Sequence, residues 1–271
     1  MDTYCDIVFF DSGVGGLPYL THFIEGCKTK NIFAACAYIA DNKNFPYGTK
    51  TKAEVSKIVS GVVERAKKIF SPKIIVLACN TASVSALKDL RLNFADIEFV
   101  GTVPALRPAI LNSKTNNIGL LGTERTVEDA YIKKLASDIN PACVLHAIAA
   151  TDLVDFVENK HDTADEEAKI KIVQKYVDIL KEKNIDGIVL GCTHFLFMEE
   201  IFKRIAEPDI RIFDSLEGVC KRAISLLQQR GLGNLDTAKR RKNIFAATKD
   251  DGQNEQWKKR TSSLDMEWMV I

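Results

Sequence analysis

The chain has 271 residues, 46% of them hydrophobic and 27% charged, a globular composition long enough for one large or two ordinary domains. Its 37 basic residues nearly cancel its 36 acidic ones, so it lacks the basic excess that neutralises phosphates, and no nucleic-acid partner is expected. The opening Met1-Asp2-Thr3-Tyr4-Cys5-Asp6 has no basic n-region and no apolar run approaches the roughly 18 residues of a spanning helix, so a cytoplasmic protein without a membrane partner is expected.

Short β-branched or aromatic runs alternate with longer stretches of helical periodicity, the pattern of βα units around parallel sheets. Strands are expected at 6–10, 33–40, 73–78, 97–100, 117–121, 143–148, 186–190 and 209–213. The first is followed by Asp11-Ser12-Gly13-Val14-Gly15-Gly16, whose glycines allow backbone N–H groups to approach an anion where a helix begins. A dinucleotide fingerprint is the rival reading, with Asp41 as its ribose-binding acid. Pro18 in the third glycine position and Asp11 at the mouth of the loop argue against it, because Asp11 would repel a pyrophosphate. An amino acid, with an ammonium as well as carboxylates, suits both Asp11 and the amides. A plain strand–helix turn is the structural alternative.

The next loop, Asp41 through Gly48, is rich in turn formers. Tyr47 offers it a hydroxyl and Gly48 an unobstructed amide, both suited to a carboxylate; an ordinary surface turn is the alternative. Beyond Thr49, the residues Val55, Ile58, Val59, Val62, Val63, Ala66, Ile69 and Phe70 fall on one helical face, which predicts an amphipathic helix over a sheet. Thr126 with Asp129, and Thr163 with Glu166, have capping-box spacing and predict two further helix starts.

The chain also resembles itself. Lys73-Ile-Ile-Val-Leu-Ala-Cys79-Asn-Thr81 is echoed by Asp186-Gly-Ile-Val-Leu-Gly-Cys192-Thr-His194, and Asp6-Ile-Val-Phe-Phe-Asp11-Ser12 by Asp209-Ile-Arg-Ile-Phe-Asp214-Ser215. Repetition on this scale suggests two related α/β halves. The seven cysteines, an odd count without a CxxC pair, are expected to be free thiols. Cys192-Thr193-His194 alone is too sparse for a metal site, so no metal is expected.

A lone buried cysteine is ordinarily a small hydrophobe. Cys79 and Cys192 differ because both end a similar strand, and each precedes polar residues, Asn80-Thr81 or Thr193-His194, and then a helical stretch. A helix N-terminus lowers a thiol pKa, and His194 adds a second means of lowering it or of shuttling a proton. Two poised thiols suit a reaction that needs a base on one face and an acid on the other. Cys5, Cys27, Cys36, Cys143 and Cys220 have no comparable setting and read as structural. A Cys-x5-Arg phosphatase is excluded by Ser85 and Met198. A protease-like pairing of a thiol with His22, His146 or His161 has no local signature, and no Walker lysine, HExxH or PLP context is present.

In order and spacing, Asp11-Ser-Gly-Val-Gly-Gly-Leu17, Pro46-Tyr-Gly48, Ala78-Cys-Asn-Thr-Ala-Ser83, Gly122-Thr123 with Thr126, and Gly191-Cys-Thr-His-Phe195 resemble the motifs of bacterial glutamate racemases. The resemblance runs from about residue 6 to about residue 230. It implies two pseudo-symmetric doubly wound α/β domains with the active site between them, split as 1–97 plus 208–271 against 98–207, and no cofactor. It implies Cys79 and Cys192 as the catalytic bases, acting on D- and L-glutamate respectively, with Asp11, His194 and Glu158 in the catalytic set. Glu158 matches the acidic residue that orients the histidine. Asp11, Ser12, Tyr47, Gly48, Asn80, Thr81, Thr193 and His194 are implied as substrate contacts, with Thr123 and Thr126 as weaker candidates. Related aspartate racemases usually carry His where Ser83 stands and Glu where His194 stands, which favours glutamate. Asn44 departs from a frequent arginine, and the tail from about residue 235 does not align. The implied role is supply of D-glutamate for peptidoglycan and cell-wall formation. Alternatives are an aspartate or other amino-acid racemase, or a noncatalytic amino-acid sensor, against which the presence of both thiols argues. The sequence leaves the oligomeric state open, a homodimer included.

Overall fold

The computed structural model describes residues 4–233 and 242–271, without the side chains of 253, 254 and 263. The elements begin with β1 (Ile7–Asp11), α1 (Leu17–Lys28), β2 (Cys36–Ala40), α2 (Lys52–Phe70), β3 (Ile74–Leu77), α3 (Asn80–Asn93) and β4 (Glu98–Gly101). A second set follows: α4 (Leu106–Asn112), β5 (Asn117–Gly122), α5 (Glu124–Glu128), α6 (Ala130–Ile139), β6 (Val144–Ala149), α7 (Thr151–Asn159), α8 (Glu166–Lys181), β7 (Gly187–Leu190), α9 (Glu199–Ala206) and β8 (Arg211–Phe213). The chain ends with α10 (Leu216–Gln229), β9 (Asn243–Ala247), α11 (Gln253–Thr261) and β10 (Met266–Val270).

These elements form two compact α/β units, one of Met1–Tyr47, Thr51–Thr102 and Leu216–Ile271, the other of Gly48–Lys50 and Val103–Ser215. The first unit holds a six-stranded sheet of order β10-β9-β2-β1-β3-β4, the second a four-stranded sheet of order β6-β5-β7-β8. Every strand pair is parallel. Numbered within its own unit, each sheet contains the order 2-1-3-4, so the strand order reverses between its first and third strands. Ligands of open α/β sheets bind beyond the carboxyl ends of the strands at such a reversal.

Burial follows from this parallel arrangement. All residues of β1, β2, β3 and β7 are buried, as expected for strands covered by helices on both faces. The predicted amphipathic helix is α2. Thr51 caps it reciprocally with Glu54, and Val55, Val59, Val62, Val63, Ala66 and Phe70 bury its apolar stripe. Each full-sized side chain in that stripe contributes roughly 1.5–3 kcal/mol relative to exposure. Val59→Asp would place an unpaired carboxylate there and break the packing.

Three expectations are corrected. The two helix starts have aspartate caps: Asp129 accepts from Tyr131 N at the start of α6, and Asp165 accepts from Ala168 N at the start of α8. Thr126 lies inside α5, which Thr123 caps. Secondly, the echo of Asp6–Ser12 in Asp209–Ser215 has no topological meaning, because β1 is the first strand of its sheet and β8 the fourth of its own. Thirdly, the unaligned tail supplies β9 and β10, which extend the first sheet beyond β2. Among the described residues no helix is long and apolar enough to cross a membrane.

Candidate active site

The third strand of each unit ends at a thiol. In the first unit, β3 runs through buried Ala78 into Cys79, which is the N-cap of α3. Its Sγ accepts the amide of Ala82 at 3.4 Å, taking up one of the donors that a helix start leaves unpaired. Partial positive charge at this terminus favours the thiolate. Ser12 Oγ stands 3.9 Å from the same sulfur and 3.4 Å from Asp11 Oδ1. Asp11, Ser12, Asn80 and Thr81 are all buried close to the end of the sheet. Asn80 Nδ2 donates to Thr102 O at 3.5 Å. Ser83 is occupied by the backbone, donating to Leu77 O at 3.0 Å and accepting from Thr102 N at 2.9 Å.

The glycine loop differs from its expected use as an anion cradle. Gly13 N donates to Asp11 Oδ1 at 3.0 Å, and Gly16 N donates to Tyr38 Oη at 3.1 Å, so these two amides serve the protein itself. Tyr38 closes the loop by donating to Gly13 O at 2.8 Å. Gly16 is required by packing, since a Cβ there would lie 2.7 Å from the Cβ of Ala78, beside the thiol.

In the second unit, β7 leads through Gly191 into Cys192, followed by a 3-10 turn at Thr193–Met198. The thiol makes no helix-cap hydrogen bond. Instead its Sγ lies 3.6 Å from His194 Nδ1, and His194 Nε2 lies 2.6 Å from Glu158 Oε2, carried by α7. His194 is 2% exposed and Glu158 1%. Burial alone would lower the imidazole pKa, but hydrogen bonds to Cys192 and Glu158, with their charges, outweigh it and hold His194 well above the ordinary histidine value. Thr193 is also buried. The first strand of this unit, β5, ends at Gly122 and delivers Thr123, whose Oγ1 donates to Thr126 Oγ1 at 3.1 Å and accepts from Thr126 N at 3.3 Å. Thr123 follows the first strand of its unit as Ser12 follows that of the other.

The loop at Tyr47–Gly48 follows a cis Phe45–Pro46 peptide. Gly48 has no room for a side chain, because a Cβ would sit 2.7 Å from Thr123 Cβ. The Tyr47 hydroxyl, expected to meet a carboxylate, donates to Asp41 Oδ2 at 2.5 Å instead. Burial, then the neighbouring Asp41, holds the Tyr47 phenol well above its ordinary pKa. Asp41 is a functional candidate that enters the sequence reading only within the disfavoured dinucleotide alternative. Its signal was its place at the end of β2, one strand from β1.

The remaining thiols behave differently. Burial pushes Cys27 up to about 12, and burial followed by neighbouring thiols and Asp6 pushes Cys36 well above its ordinary value. His146 pairs with Asn117 and His161 with Asp162, so neither is placed as a protease-like base. Among the described residues no group of three or more His, Cys, Asp or Glu side chains is placed to hold a metal ion.

Residues 21–223 match the family model described as Asp/Glu/Hydantoin racemase. The chain is 37% identical over 227 residues to the glutamate racemase of Pasteurella multocida, covering 82% of this chain and 81% of that one. It is 34% identical over 218 residues to the glutamate racemase of Treponema pallidum, covering 80% of each. Among solved structures, a glutamate racemase isoform from Bacillus anthracis is similar with a TM-score of 0.84 and 28% identity, covering 99% of this chain and 98% of that one. The Escherichia coli glutamate racemase, in complex with L-glutamate and the activator UDP-MurNAc-ala, is similar with a TM-score of 0.83 and 28% identity, covering 97% of each chain.

Proposed function

The chain belongs to the Asp/Glu/Hydantoin racemase family, and on that premise we propose that it interconverts L- and D-glutamate by a two-thiol mechanism. The observation that carries this reading is the repeated placement of Cys79 and Cys192. Each is buried, and each follows the third strand of a 2-1-3-4 sheet, one per unit.

One thiolate removes the α-proton and becomes a thiol, leaving a carbanionic or enediolate intermediate. The other thiol then protonates the opposite face of the α-carbon and becomes a thiolate. A turnover therefore leaves the two sulfurs with exchanged protonation states. General acid–base assistance of this kind contributes about 10²–10⁴-fold per proton transfer. Cys79 deprotonates D-glutamate with Asp11 and Ser12 beside it, and Cys192 deprotonates L-glutamate with His194 held by Glu158. A protonated His194 donates from Nδ1 to the sulfur and from Nε2 to Glu158, which holds the thiol and the imidazole in register.

Asp11, Ser12, Asn80, Thr81, Thr123, Thr126, Thr193 and His194 supply the polar contacts to substrate. At Tyr47–Gly48 the phenol is committed to Asp41, so the backbone amides are this loop's groups for a carboxylate. The reaction supplies D-glutamate for peptidoglycan, and its substrate is a small molecule that needs no cofactor for the proton transfers. The test is interconversion of L- and D-glutamate, and of L- and D-aspartate, by the purified chain without added cofactor and after dialysis against a chelator. Glutamate turnover with far slower aspartate turnover is expected. Equal specificity constants for the two would overturn the choice of substrate, and dependence on a restored metal would overturn the mechanism.

A further inference from the structure

The C-terminal strand β9 brings a threonine to the loop that ends in Tyr47. In register β9 pairs with β2 up to Ala40 and Ala247, so Asp41 and Thr248 leave the sheet side by side. Thr248 Oγ1 donates to Asp41 Oδ1 at 2.5 Å across 207 residues of sequence, and Thr248 N donates to Ala40 O at 3.1 Å. Asp41 is fully buried. Its other donors are the Tyr47 hydroxyl at 2.5 Å and Asn44 Nδ2, which spans both carboxylate oxygens at 3.1 and 3.0 Å. All three donors are neutral, so the carboxylate is fixed by hydrogen-bond geometry alone. The loop backbone is tied to the same hydroxyl, because Lys43 N donates to Thr248 Oγ1 at 3.1 Å. The four-stranded unit has no counterpart of β9, so this support exists on one side only.

We infer that Thr248 is a positioning residue for the substrate loop, acting through Asp41 on Tyr47 and so on the Tyr47–Gly48 amides. The inference rests on the reading of that loop as a substrate contact. A hydroxyl that merely stabilised the fold would, when lost, lower the fraction of active protein and hence apparent kcat, leaving KM where it was. A positioning hydroxyl changes the loop that holds the substrate carboxylate in every molecule, and so changes KM.

The experiment compares the full chain with T248V, T248S, Y47F and the double variant T248V/Y47F, measuring kcat and KM for both glutamate enantiomers. Valine keeps the β-branched shape of threonine and removes the donor, whereas serine keeps the donor. T248V is expected to raise KM about tenfold with a smaller change in kcat, and T248S to restore KM to within about twofold. In the Y47F background, T248V should add less than about twofold, because the path it acts through is already cut. An unchanged KM in T248V, a failure of serine to restore it, or full multiplication of the two effects in the double variant would overturn the inference. An unmutated chain inactive on glutamate would overturn the functional reading itself, which separates the two failures.

Discussion

The two thiols occupy equivalent points of two related sheets but are served by different chemistry. Cys79 caps a helix of 14 residues, accepts a backbone amide and has the neutral hydroxyl of Ser12 near its sulfur, with Asp11 behind it. Cys192 opens a 3-10 turn without a side-chain cap and depends on an imidazole locked to a buried carboxylate. Repetition of a fold thus fixes where a reactive atom stands, while the local sequence after the strand decides how its proton is held. Asn80-Thr81 continues into a helix whose dipole does the work; Thr193-His194 supplies a titrating side chain instead.

The largest effect expected from breaking this pair comes from either thiol. C79A and C192A should each lower racemisation in both directions by about 10³-fold or more, measured as kcat/KM, since a full turnover needs a base and an acid. Substantial racemisation in either single variant would contradict two one-sided bases.

The next effect is confined to the second unit. E158Q should lower kcat/KM about 10²-fold, equally in both directions because the equilibrium constant between enantiomers is 1. Losing the carboxylate also removes one of the interactions that raise the His194 pKa, so the alkaline limb of the kcat/KM profile should move to lower pH. An unmoved limb would mean that Glu158 only supports the fold.

S12A should be milder, about fivefold, because it removes a neutral hydroxyl from a sulfur still held by a helix terminus. A loss in S12A as large as that in H194A would erase the contrast between the two half-sites.

The smallest effect is on stability. Because the folded-state pKa of His194 is raised, its contribution is fully present below the ordinary histidine pKa of about 6.5 and is lost as pH rises through the raised value. The advantage in thermal midpoint of the unaltered chain over H194N should therefore be greatest in mild acid, by about 2–4 °C per kcal/mol, and shrink in alkali. An advantage that grew with pH would contradict a protonated buried imidazole.

Much of this was legible in the sequence because buried parallel strands leave continuous apolar runs, and Ile74–Leu77 and Gly187–Leu190 each run directly toward a cysteine. The ends of those strands mark the candidate residues. Contacts remote in sequence were not legible. Nothing in Asp41–Gly48 reveals that the Tyr47 phenol is taken by Asp41, or that Thr248 holds that carboxylate from a strand in an unaligned tail. Gly16 looked like an anion-loop glycine, yet the Cβ of Ala78 is what excludes a side chain there. The echo between Asp11-Ser12 and Asp214-Ser215 misled for a related reason. Similar strand ends recur wherever a parallel strand leaves a sheet, and only the pairing order shows that Thr123 stands where Ser12 does.

The central claim, that each thiol serves one face of the α-carbon, is tested most directly by turnover in deuterated water stopped at low conversion. Two one-sided bases predict deuterium at Cα mainly in the product enantiomer, starting from either L- or D-glutamate, with little in the recovered substrate. The single alanine variants should then exchange opposite enantiomers with solvent, C79A that of L-glutamate and C192A that of D-glutamate. Product that retains the original proton, in amounts comparable to deuterated product, would point to one base that returns what it takes and would contradict the two-thiol account.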